Sequence, residues 1–184
     1  MGCWGFGIIE SDDAMDLECE LLEIAGLESA TAPGSRSALE KHLGALLERA
    51  KAEPAPVDDD GVAYTYDYAT AHQVLTLLLM GAGCTFTEEI QKELLAGIES
   101  CHEFKLITML LKQSNGILTE NLLQNFHIEN GFKGYAGTIE RMYGRHAAIT
   151  GLMEALKAYS IQGGTAVSVP SRGLLETMFQ KSGD

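Results

Sequence analysis

No lysine or arginine occurs before Arg36, while the first 28 residues carry eight acidic side chains. The whole chain has 13 Lys and Arg against 26 Asp and Glu, a formal net charge of −13. A groove that neutralises phosphates has little material here, so no nucleic-acid binding is expected. Cysteine is also scarce. Cys3, Cys19, Cys84 and Cys101 form no CxxC pair, which removes zinc-ribbon and thioredoxin motifs. The longest apolar stretch, Val74 to Phe86, is interrupted by threonine and glycine and is too short for a bilayer, so no membrane span is expected. The first residues show no basic n-region and their apolar stretch is interrupted by glycine, so no secretion signal is expected. With free, mostly buried thiols, the reading is a cytoplasmic protein.

What is present suits a single domain over residues 1–184, with 46% hydrophobic residues to build a core. The patterns are helical. Ser11 opens a first helix that stops at Gly26, with Ala14, Leu17, Leu21, Ile24 and Ala25 on one stripe. Glu18 is the one misfit in that stripe, and is expected to meet a base from the C-terminal third or to point outward. Ser37-Ala-Leu-Glu40 reads as a capping box opening a second helix. Pro54, Pro56 and Asp58-Asp59-Asp60-Gly61 mark an acidic, flexible loop over 53–62. Residues 67–80 are apolar on every side, the mark of a central helix. Thr87 caps the next helix, which runs toward Gln113 with a break near the polar patch 99–105. Asn115-Gly116 is a turn, and a long helix follows from Thr138 to Tyr159. The expected fold is mostly α, a bundle of six or seven helices. A small two-stranded β element pairs the N-terminal arm, anchored by buried Trp4 and Phe6, with residues 165–169.

Several patterns approach a chemistry and fall short of it. The acidic loop lacks EF-hand spacing, since position one would be Pro56 and position twelve Asp67. Glu99-x-x-His102, with Cys101, is a single metal-type step where di-iron bundles need two. A polar helix-turn surface explains it better, and no metal is assigned. The five histidines include no HExxH, and His146 reads as a histidine at the edge of the core. Gly131, Gly134 and Gly137 with Lys133 offer backbone N–H groups to a phosphate, yet no strand precedes them and a connecting loop is the plainer reading. No cofactor motif emerges. On the long helix Gly144, Ala148, Gly151 and Ala155 form a small-residue stripe that lets another helix approach, from this chain or from a second copy.

The opening segment carries Met1, Gly2, Trp4, Gly5 and Gly7, then Asp12, Asp13, Ala14 and Asp16. This pattern, Met-Gly-x-Trp-Gly-x-Gly followed by Asp-Asp-Ala-x-Asp, resembles the start of a bacterial family of small acidic proteins of unknown function. It covers about a tenth of the chain. The resemblance implies a small helical protein and assigns no catalytic residue.

The acidic residues of the first helix, Asp12, Asp13, Asp16, Glu20 and Glu23, share one face with no base among them. Crowded like charges cost a few tenths of a kcal/mol per pair in an isolated helix. That face is the expected binding surface for a basic protein partner, as in immunity or antitoxin proteins. The alternatives are an oligomerising structural component or a metal-dependent enzyme.

Overall fold

In the computed structural model the described residues are 8, 12–52, 68–119, 121–122 and 139–159. Their architecture is mostly α, with six helices and, among these residues, no strand: α1 (Asp12–Ile24), α2 (Ser35–Lys51), α3 (Tyr68–Gly81), α4 (Glu88–Glu99), α5 (His102–Gln113) and α6 (Ile139–Ala158). The acidic loop 53–62, the glycine loop 131–137, Trp4, Phe6 and residues 165–169 lie outside the described residues. Of the N-terminal arm only Ile8 is described, and it is buried against the main core.

The α3 helix is the centre. Residues 71–80 are all buried, and α1, α2, α4 and α6 pack around it. A helix surrounded on all sides needs apolar residues around its whole circumference, as the sequence pattern predicts. Three polar residues are nevertheless fully buried there: His72, Gln73 and Thr76. Only part of their hydrogen-bonding capacity is met, since His72 Nε2 and Gln73 Nε2 are buried without a hydrogen-bond partner among the described residues. Thr76 Oγ1 donates to the His72 carbonyl at 2.7 Å, and Gln73 Oε1 accepts from Arg145 Nη2 of α6 at 3.0 Å. Opposite His72 sits Gly97 of α4, where a Cβ would collide with the His72 ring. Glycine is weak in a helix interior, and here its missing side chain makes room for the imidazole.

The ends of α1 follow its sequence signals. Ala14, Leu17 and Leu21 are fully buried. Gly26, at φ +68°, ends the helix, with its N–H on the Glu23 carbonyl and the Leu27 N–H on the Leu22 carbonyl. This is the six-to-one and five-to-two pattern of a Schellman cap. The start of α2 departs from expectation. It begins at Ser35, after Gly34 at φ +84°, so Ser37 lies inside the helix and caps nothing. Glu40 instead reaches the loop between α3 and α4, accepting from Thr85 N at 2.8 Å and Thr85 Oγ1 at 2.9 Å. The same carboxylate takes Arg36 Nε at 3.1 Å.

Thr87 caps α4, its hydroxyl accepting from Ile90 N. The break expected in the following polar patch is real: α4 ends at Glu99 and α5 begins at His102. The α5 helix closes in a turn with Asn115 at φ 53° and Gly116 at φ 86°. The Tyr143 hydroxyl of α6 ties that turn down, donating to the Gly116 carbonyl at 2.7 Å and accepting from Leu118 N at 2.8 Å.

Among the described residues the apolar side chains form two cores. The main one joins α1 to α4 with the C-terminal half of α6, through Ile149, Leu152 and Leu156. A second consists of Ile107, Leu110, Leu118 and Met142, between α5 and the N-terminal half of α6.

Candidate functional site

The outer side of α1 follows from its buried inner side. With Ala14, Leu17 and Leu21 in the core, Asp16, Cys19 and Glu23 are exposed. Asp12 and Asp13 open the helix, where the dipole favours anions. Glu18 is half-buried, so the fully buried carboxylate that its place in the stripe threatened does not arise.

Glu20 behaves differently from its neighbours. Arg49 of α2 holds it with a two-pronged ion pair, Nε to Oε1 at 2.5 Å and Nη2 to Oε2 at 2.6 Å. The planar guanidinium matches the carboxylate in both directions. The expected face is therefore not a uniform field of free carboxylates. The described base that reaches Glu20 comes from α2. Local periodicity cannot show that Arg49 crosses to Glu20, because the contact spans 29 residues.

The Glu99–His102 step is not on one helical face. Ser100 and Cys101 separate α4 from α5, which removes the i to i+3 geometry. Cys101 is buried, and the described residues contain no group of three or more His, Cys, Asp or Glu placed to hold a metal. The small-residue stripe of α6 is split. Gly144 is buried, Ala148 and Ala155 pack against the protein's own main core, and Gly151 faces open space.

Three polar junctions escape the sequence patterns. The first joins α6 to the loop before α4. Tyr159 donates its hydroxyl to the Cys84 carbonyl at 2.8 Å and stacks on Phe86 at 5.2 Å. Gln91 Nε2 caps the end of α6 by donating to the Leu156 carbonyl at 2.6 Å. The second is the Glu40–Thr85 contact, where the Thr85 N–H above all, aided by the hydroxyl and Arg36, holds the carboxyl below its usual range against the opposing effect of burial. The third is His146, whose ring stacks on Phe104 at 4.9 Å and whose Nε2 lies 3.1 Å from Thr108 Oγ1. This histidine does sit at the edge of the packing, as its place beside the α6 stripe predicts.

None of these is a built nucleophile. Burial, with Glu40 nearby, pushes the Cys84 thiol up to about 12, so it stays protonated and inert near neutral pH. No helix among the described residues is long and apolar enough to cross a membrane. Comparison with protein families, curated proteins and solved structures gave no match.

Proposed function

We propose that this is a non-enzymatic acidic binding protein, immunity-like in kind, which takes a basic protein partner on the outer face of α1. The observation that carries this reading is the one-sidedness of the helix. Its leucines and Ala14 are spent on the core, Asp16 and Glu23 face solvent beside an exposed Met15, and no base lies anywhere in its 13 residues. Such a face raises the association rate of a positively charged partner and loses that advantage in salt. The free thiols of Cys19, Cys84 and Cys101 fit a cytoplasmic setting.

The pairing of Glu20 decides how to test this. Reversing Glu20 would break its two-pronged ion pair with Arg49 and confuse binding with folding. Asp16→Lys with Glu23→Lys changes the charge by +4 and leaves the ion pair alone. The experiment is capture of basic proteins from the native host by the wild type and by this double variant, at low and raised salt. Partner docking on α1 requires wild-type capture that falls with salt and is lost in the variant. Capture that survives both changes ends the proposal.

A further inference from the structure

The outer faces of α1 and α5 carry matching patterns of opposite sign. On α1, Asp16 and Glu23 are exposed seven residues apart, with exposed Cys19 between them. On α5, Lys105 and Lys112 are exposed seven residues apart, with exposed Met109 between them. Seven residues are close to two helical turns, so each charged pair stands on one face about 10 Å apart. None of the four charged side chains has an ion pair among the described residues. The exposed large apolar side chains divide in the same way. Met15 lies on α1, Met109 on α5, and Ile117 and Tyr143 at the turn that closes α5. Within one copy α1 packs on α2 and α3, and α5 mainly on α6, so the two faces do not cover each other. We propose that the α5 face of one copy docks antiparallel on the α1 face of a second copy, setting Lys112 against Asp16, Lys105 against Glu23 and Met109 against Cys19.

The register follows from what each residue would meet. Parallel docking pairs the same charges but sets Met109 against Glu20, a carboxylate already held by Arg49. Antiparallel docking gives Met109 the small Cys19, with Met15 one turn away on the same helix. A methionine side chain adapts to such a shallow apolar spot. The net charge of −13 opposes the meeting of two copies. In about 0.15 M salt the screening length is about 8 Å, so that repulsion fades beyond close range while pairs in contact keep their attraction. One helix pair makes a small interface, and the association is therefore weak and reversible. This inference rests on α1 being a binding face, as in the function proposed above, and makes a second copy the competitor of the basic partner there.

The test is sedimentation velocity in about 0.15 M salt, from about 10 to 500 µM protein. The wild type should gain mass with concentration. Asp16→Lys with Glu23→Lys should stay a single chain, and so should Lys105→Glu with Lys112→Glu. All four positions are exposed, so the reversals spare the packing. An equimolar mixture of the two double variants should associate again, because each reversed face then meets one of opposite sign. Both variants remain net negative, so this recovery cannot come from overall charge. Oxidative cross-linking reads the register. With Cys3→Ser in both chains, a chain keeping Cys19 should link to one carrying Met109→Cys and Cys19→Ser in preference to its own kind. Lys105→Glu with Lys112→Glu should still capture basic proteins from the host, which separates loss of self-association from loss of partner binding. A wild type that stays a single chain throughout, double variants that associate as the wild type does, a mixture that does not recover, or cross-links without preference would overturn it.

Discussion

The two cores of this protein are built by different means. Around α3, apolar side chains from four helices close on a buried axis, and polar contacts such as Glu40–Thr85 and Tyr159–Cys84 pin its corners. Between α5 and the start of α6, four side chains are buried among the described residues, and the Tyr143 and His146 hydrogen bonds form a larger share of the described contacts there. Apolar burial scales with the area removed from water. A net hydrogen bond contributes only about 1 kcal/mol. The first region should therefore set global stability, and the second should open locally.

Truncation of one leucine in each core gives the largest contrast. Leu79→Ala in α3 should cost about 2–5 kcal/mol, because the packed surroundings cannot collapse onto the cavity. Leu110→Ala should fall at or below the bottom of that range and act mostly on α5. Urea denaturation of both variants checks this, and equal global losses would dissolve the distinction. Gly97→Ala comes next. Its new methyl would collide with His72, and overpacking of this kind costs about 1–3 kcal/mol or more. Thermal unfolding should show a lower Tm for Gly97→Ala, while Gly151→Ala, facing open space on α6, should be neutral or slightly stabilising.

Much of the main core's layout is legible in the amino-acid sequence. The helices, the central place of α3, the Gly26 stop, the Thr87 cap and the break after Glu99 all follow from local signals, namely periodicity, cap residues and turn residues. What is not legible spans long stretches of chain. Glu40 stands three residues after Ser37 and matches a capping box, but its partner is 45 residues away. Glu20 belongs to an acidic face on a helical wheel, but Arg49 lies across a helix interface. Periodicity also ranks α3 as apolar and passes over His72, Gln73 and Thr76. One signal does point to them. A glycine inside the amphipathic α4 costs helix stability, so Gly97 calls for a packing reason.

Two smaller effects sharpen the comparison. Tyr143→Phe removes both bonds to the 114–118 turn and should cost about 1 kcal/mol, reduced by the partial exposure of the ring. It should speed amide exchange at Leu118 and leave α3 unchanged. Glu40→Gln probes a corner of the main core. The folded carboxyl lies below its usual value, so the unfolded state binds the proton first, and wild-type stability must fall as pH drops through the ordinary carboxylate range, near 4.3. The variant should be less stable at pH 7 by up to about 1 kcal/mol, since the group is partly exposed. Its acid limb should be shallower. Denaturation at pH 7 and pH 4 reads both.

Native-state hydrogen exchange at fixed neutral pH, across low concentrations of denaturant, tests most directly whether the two cores are unequal. If they are, α3 amides exchange only through global unfolding, while α5 and the turn at 114–118 exchange through an opening of lower free energy and smaller denaturant dependence. Amides of α5 that share the free energy and slope of α3 would show one cooperative core, and would contradict the division.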